Sequence, residues 1–197
     1  MRPDLADSRV ELPSGPLLIG QPSEVVEIPD DGPVEWAPVA PYWAVLWRSG
    51  VALARELDGA ELAGKRVVEV GCGLGVPSLV AARSGARVLA TDEAAEALEL
   101  LHENAARNDL AVETAVVDWR APDPLLARAP FDHVLAADVL YEPESVAALL
   151  ALLPQLGGEV WLADPGRAPA ETFLTEAEKR WSVATTTRGN VAIHRLR

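Results

Sequence analysis

KRVVEVGCGLG, from Lys65 to Gly75, joins a β-branched run to three alternating glycines, and a second run, RVLATD, closes on an acid at Asp92. The first run reads as a strand that delivers the chain to the carboxyl edge of a parallel sheet, where glycines permit positive φ and close approach of a ligand to the backbone. Asp92 follows Gly71 by 21 residues, the separation at which an acid can grip ribose hydroxyls. Together they predict a nucleoside-cofactor pocket. The spacing then separates cofactors: the dinucleotide fingerprint is G-x-G-x-x-G, whereas Gly71, Gly73 and Gly75 read G-x-G-x-G, with Val76 where the third glycine would stand.

Outward from this stretch, strand-like and helix-like segments alternate. Strands are expected at Arg66–Val70, Arg87–Asp92, Val112–Trp119, His133–Asp138 and Glu159–Asp164, with helices at Leu74–Ser84, Ala94–Asn108, Glu144–Leu153 and Ala168–Arg180. Pro77 and Pro143 are tolerable in first helical turns, Gly85 closes the first of these helices, and Pro154 is read as stopping the third. Near-continuous apolar strands such as HVLAAD argue for a parallel sheet covered on both faces. SVATTT and VAIHRLR, joined by Arg188-Gly189-Asn190, read as a terminal β-hairpin. Upstream, Tyr42 to Leu57 carries a helical apolar period broken at Ser49-Gly50. Residues 1–41 hold eight of the 16 prolines and predict an irregular leader, with a possible hairpin in which LLIG and EVVEI flank a turn at Gly20-Gln21-Pro22-Ser23.

The expected architecture is therefore α/β: a Rossmann-like seven-stranded, mostly parallel sheet with a C-terminal antiparallel hairpin, helices on both faces and a short proline-rich extension. One catalytic domain, residues 42–197, follows the extension at 1–41. At 197 residues the chain is long enough for one full core. Its 17 basic and 30 acidic side chains give a net charge of −13 with no basic run, which disfavours binding to a phosphate backbone. A single cysteine, Cys72, excludes an internal disulfide and a cysteine zinc site; inside the glycine loop it reads as a small buried residue. His102 and His194 lack metal-ligand company, so no metal is expected. Without a signal-peptide core or an apolar run of membrane length, the chain reads as a soluble cytoplasmic protein with no membrane partner.

In such a sheet the ligand lies beyond the carboxyl ends of the central strands. Those ends supply Glu69 and the Gly71–Gly75 loop, Asp92, the Asp118-Trp119 pair, and Ala137-Asp138 followed by Tyr141. E-x-G-x-G-x-G followed by an acid after the next strand resembles motif I of the class I, seven-stranded methyltransferases that use S-adenosylmethionine (SAM), a cofactor with a sulfonium and no phosphate. AADVLY, Leu46-Trp47 and VVDW further resemble the protein lysine methyltransferases (methyltransferase family 16), whose D-x-x-Y motif follows the fourth strand. PYWAVLWRSGVALA and DPGR are similar to the electron-transfer-flavoprotein β-subunit lysine methyltransferases and their bacterial, nicotinamide N-methylase-like relatives. The resemblance covers about residues 40–197. It implies SAM contacts from Trp47, Glu69, Gly71, Cys72, Gly73, Gly75, Asp92, Asp118, Trp119 and Ala137, and an acceptor entrance lined by Asp138 and Tyr141. The short proline-rich leader departs from the family pattern and leaves substrate docking open.

The implied reaction is N-methylation of a lysine on a protein, with the electron-transfer flavoprotein β-subunit as one implied partner and with Asp138 and Tyr141 orienting the amine. Two alternatives stay open: a small-molecule N- or O-methyltransferase, with residues 33–47 as a lid, and a catalytically silent SAM-binding interaction module.

Overall fold

A computed structural model describes residues 4–23 and 41–197. Strands β3 (Arg66–Val70), β4 (Arg87–Asp92), β5 (Glu113–Val116), β6 (His133–Ala137) and β7 (Glu159–Asp164) run parallel, and the hairpin β8 (Val183–Arg188) and β9 (Val191–Leu196) closes the sheet. The order is β5-β4-β3-β6-β7-β9-β8, with β9 antiparallel to both of its neighbours. This is the expected seven-stranded sheet. Chain order reverses between β3 and β6, so the crevice that binds ligands in open α/β sheets falls at their carboxyl ends.

Period-two alternation divides the core. Val67, Leu135, Trp161 and Ala163 face one apolar cluster with helix α1 (Arg48–Leu57), helix α2 (Val76–Arg83) and helix α3 (Ala95–Arg107). Val68, Val134, Ala136 and Leu162 face the other, with the short α4 (Asp123–Leu126), α5 (Pro143–Leu156) and α6 (Ala168–Ala177). Two buried faces explain why these strands carry unbroken apolar runs. At the far edge, Glu56 of α1 accepts from Arg188 of β8 (2.6 Å) and Arg195 of β9 (3.1 Å), tying the terminal hairpin to the helix layer.

Four local expectations change. The Tyr42–Leu57 period is not one helix: Tyr42–Ala44 form a single 3-10 turn, and α1 starts at Arg48 with Ser49 and Gly50 in its first turn. The Trp47 indole N–H donates to the Tyr42 carbonyl (3.0 Å) and so closes a tight turn that replaces helix there. Strand β5 is shorter than Val112–Trp119 because β4, the strand it pairs with, ends at Asp92 opposite Val116. Pro154 does not stop α5, which runs on to Leu156. Its exposed ring costs a single backbone bond, while buried Leu152, Leu153 and Leu156 hold the last turn against the core.

The leader hairpin also has different limbs. LLIG is a strand, β2 (Leu17–Pro22), but Gly20 to Pro22 continue it rather than turn, and its partner is the upstream β1 (Leu5–Val10). EVVEI lies outside the described residues. The other edge of β2 docks on α3 through an amide ladder. Asn104 accepts from the Gly20 N–H (2.7 Å) and donates to the Gly20 carbonyl (3.2 Å). Asn108 does the same for Leu18, at 2.9 and 2.8 Å. Four residues of helix rise about 6 Å and two residues of strand about 6.6 Å, so the two amides match alternate strand residues. Asn104 is fully buried. Asn104→Ala strands a buried N–H and C=O and should cost about 2–4 kcal/mol, more than Asn108→Ala at the exposed end. Paired thermal melts check the ranking, and equal losses would contradict it.

Candidate active site

At the carboxyl ends of β3 to β7 lies one cavity of about 860 Å³, walled in front by residues 41–47. All twelve residues singled out from the sequence line it: Trp47, Glu69, Gly71, Cys72, Gly73, Gly75, Asp92, Asp118, Trp119, Ala137, Asp138 and Tyr141.

The glycine loop is left-handed at Gly71, Gly73 and Gly75 (φ +67°, +49° and +69°). Two of the three are glycine for different steric reasons. A Cβ at Gly71 would come within 3.0 Å of both the Trp119 ring and Val139, whereas one at Gly75 would strike Leu101 of α3 at 2.3 Å. Gly71 is therefore set by the cavity wall and Gly75 by packing under α2.

Two acids hold this loop. Asp92 accepts the Gly73 N–H (2.9 Å) on one oxygen and the Ala94 N–H (3.0 Å) on the other. Each oxygen retains lone-pair capacity for a further donor, and burial raises the carboxyl's pKa despite those bonds. Glu69 is buried at the end of β3 and accepts from both the N–H (2.9 Å) and the hydroxyl (2.5 Å) of Ser78, in the first turn of α2. Burial pushes its carboxyl up to about 8 against the bonds from Ser78.

An unfolded Glu titrates near 4.3. Between that value and about 8 the folded chain therefore holds a proton that the unfolded chain has lost, and stability falls as pH rises through this window. Glu69→Gln mimics the protonated acid and removes this slope. Its melting temperature should exceed the parent's at pH 9 and approach it at pH 4, below the unfolded value; parallel curves for the two proteins would refute the assignment.

Cys72 is buried and its thiol is pushed far above the usual range by burial, so it is an inert wall residue. Asp118 is paired with its own neighbour: the Arg120 side chain donates to both its oxygens (2.9–3.1 Å) and the Arg120 N–H adds a bond of 2.8 Å. The Arg120 hydrogen bonds hold the Asp118 carboxyl below its ordinary range. Trp119, half-buried, lays its ring against Gly71.

The opposite wall starts where β6 ends. Asp138 is a non-glycine residue at φ +59°, its N–H fixed on the Ala163 carbonyl (3.0 Å), its side chain buried. Arg167, at the start of α6, donates to Asp138 Oδ1 from Nη2 (2.7 Å) and Nε (3.1 Å), and its guanidinium lies 5.6 Å from the centre of the Trp47 ring. Tyr141 is 39% exposed at the mouth. Burial, then Glu93 and Glu142, raise its pKa, so the phenol stays a hydrogen-bond donor at neutral pH. Arg167 and the Arg120 partnership escaped the sequence reading. DPGR marked Arg167 as part of a resemblance, but no periodicity or spacing points an arginine two residues past a strand-end proline back toward the preceding strand.

Residues 42–163 match the family model described as lysine methyltransferase. The chain is 36% identical over 151 residues to protein N-lysine methyltransferase METTL21A of Danio rerio, covering 71% of this chain and 69% of that one. The chain belongs to the lysine methyltransferase family. The electron transfer flavoprotein beta subunit lysine methyltransferase of Danio rerio is 33% identical (72% of this chain, 56% of that one). Histone-arginine methyltransferase METTL23 of Mus musculus is 34% identical (56% and 46%). This methyltransferase thus spans about half the length of those two relatives. Among solved structures, the Thermus thermophilus 16S rRNA N2 G1207 methyltransferase RsmC, in complex with AdoMet and guanosine, superposes with TM-score 0.71 at 18% identity, over 98% of this chain and 51% of that one. That likeness extends to the fold.

S-adenosylmethionine is the cofactor of this methyltransferase, and the cavity's donor set fits it. Acids line it at Glu69, Asp92, Glu93, Asp118, Asp138, Glu142 and Glu144, while the cations among its described lining residues, Arg120 and Arg167, are each engaged by an aspartate. A pyrophosphate would find no free cation here; a sulfonium and an ammonium find an acidic, aromatic wall. Among the described residues no group of three or more His, Cys, Asp and Glu side chains is placed to hold a metal, and no helix is long and apolar enough to cross a membrane.

Proposed function

We propose that this methyltransferase methylates the ε-amino group of a lysine on a protein substrate. The observation that carries the reading is the corner at which Asp138 and Tyr141 share one cavity with the glycine loop and Asp92. Two relatives named for lysine methylation support it. In this reading Asp92 accepts the ribose hydroxyls, and Trp119 with Asp118 borders the adenine, the acid shared with Arg120. The Gly71–Gly75 loop and Trp47 enclose the methionine portion, with Glu69 and Cys72 bracing the loop and Ala137 leading to the acceptor side.

Bound there, SAM supplies a methyl group carried on a sulfonium. The protein's part is to present an amine lone pair in line and to exclude water; orientation of this kind can supply on the order of 7–11 kcal/mol. A lysine ammonium, with an unperturbed pKa near 10.4, has no lone pair, so it must shed its proton first. Asp138 attracts the amine, the Tyr141 hydroxyl fixes its direction, and the proton leaves to solvent through the open mouth.

The protein partner carries its lysine on an accessible segment, and the electron transfer flavoprotein β-subunit is one candidate, supported by a relative named for it. A cytoplasmic location accords with the lone buried thiol. Incubation with tritiated SAM and cell extract separates protein from small-molecule acceptors. Label in precipitable protein is expected; label confined to acid-soluble molecules would overturn the proposal. An arginine acceptor is the second reading, favoured by the likeness to METTL23, and locating the label within the protein separates the two.

A further inference from the structure

Arg167 touches three walls of the cavity. Its own N–H and that of Gly166 both bind Asp164 Oδ1 at 2.7 Å, which fixes the turn between β7 and α6. From that turn the side chain reaches back to Asp138 at the end of β6 and lies over Trp47 of the front wall. The pair is largely enclosed, with side-chain exposures of 18% for Arg167 and 5% for Asp138. Both guanidinium donors fall on Oδ1, and Oδ2 receives neither.

Resting on the reading that a lysine amine is received at Asp138, we propose that Arg167 is a positioning residue for the acceptor, holding Asp138 by one oxygen and offsetting its charge. An unpaired carboxylate beside the amine would stabilise the ammonium and keep the lone pair unavailable. With a guanidinium in contact, the amine meets a dipole whose field falls off faster than that of a charge, while the free oxygen still accepts one N–H.

The remaining charged and titratable groups cannot do this. Tyr42 approaches from the front wall, Glu69 and Cys72 from β3 and the glycine loop, Asp92 and Glu93 from the end of β4, and Tyr141, Glu142 and Glu144 from the start of α5, and every one is acidic or neutral. Arg120, beyond β5, is committed to Asp118, and Asp164 lies behind Arg167. All of them persist in an Arg167 variant, so substitution isolates the one offsetting charge.

The test compares Arg167→Met and Arg167→Lys with the parent, using tritiated SAM and the extract proteins that the parent labels, at saturating acceptor from pH 6.5 to 10, where the profile reports the bound amine. S-adenosylhomocysteine binding by calorimetry runs alongside. For Arg167→Met the rise of rate with pH should move up by about one unit, making it roughly tenfold slower near neutrality and close to the parent at the alkaline end. Arg167→Lys should fall between, and adding Asp138→Asn to Arg167→Met should move the rise back down. Affinity for S-adenosylhomocysteine should stay within about threefold. A uniform loss at every pH, an unshifted profile, or loss of S-adenosylhomocysteine binding in both variants would overturn the role, leaving the lysine reading intact. Absence of labelled protein with the parent enzyme itself would instead overturn that reading, and this inference with it.

Discussion

Asp92→Ala should weaken SAM binding by about two to three orders of magnitude while the sheet still folds. In the proposed reading the acid accepts two ribose hydroxyls, and hydrogen bonds to a charged group are worth about 1.5–3 kcal/mol each, with about 1.4 kcal/mol per tenfold in affinity. The substitution also frees the Gly73 N–H, which Asp92 holds at 2.9 Å, so the glycine loop loses its tether to β4. Stability should fall by about 1–3 kcal/mol, because the Gly73 and Ala94 N–H groups lose their acceptor, partly offset because burial disfavours the ionised carboxylate. Asp92→Asn keeps the shape and should lie between parent and alanine variant. Calorimetric titration with SAM reads the effect directly, and a dissociation constant within threefold of the parent in Asp92→Ala would remove Asp92 from the cofactor site.

Asp138→Asn should slow methyl transfer by about a hundredfold with SAM affinity nearly unchanged, and Tyr141→Phe by about tenfold. Misplacing a reacting group by an ångström is enough to cost about 10², and in the proposed reading Asp138 orients the amine. The asparagine also leaves Arg167 without its ionic partner, a part-buried charge 2.7 Å from the lost oxygen. A stability loss of about 1–3 kcal/mol should accompany it, so rates are compared below the lower melting temperature. Full rate in both variants with the labelled acceptor would remove this corner from the reaction.

Much of the fold was legible because burial on both faces leaves a strong mark. VVEV, HVLAA and VWLA satisfy the core as parallel strands, and the Arg188-Gly189-Asn190 signal marks the hairpin turn, which is the two residues Gly189-Asn190 after Arg188 closes β8. Where burial was one-sided or local chemistry competed, the pattern misled. Val112 and Val117 are buried just beyond the ends of β5, so apolar content overstated the length of that strand. Pro154 stands on the solvent side of α5, where its missing N–H costs less than the leucine packing returns. The Trp47–Tyr42 bond could not be read from an apolar period, nor could the asparagine ladder that draws β2 onto α3.

The candidate site was legible at strand ends, since parallel topology forces Glu69, Asp92, Asp118 and Asp138 onto one edge. What the sequence did not disclose is which of those acids already have partners. Asp118 is engaged by Arg120, two residues away, and Asp138 by Arg167, across 29 residues of chain. The second pairing alters the chemistry: a bare carboxylate would hold the acceptor as an ammonium, and Arg167 relieves that conflict.

Methyl transfer from SAM to a lysine nitrogen leaves a covalent record on the acceptor. It is tested most directly by reacting cell extract with the enzyme and SAM carrying a deuterated methyl group, then sequencing the labelled peptides by tandem mass spectrometry. Deuterated methyl groups are expected on a lysine ε-nitrogen, with incorporation lost in Asp92→Ala. Deuterated methyl confined to arginine, to carboxyl or hydroxyl oxygens, or to small molecules would contradict it.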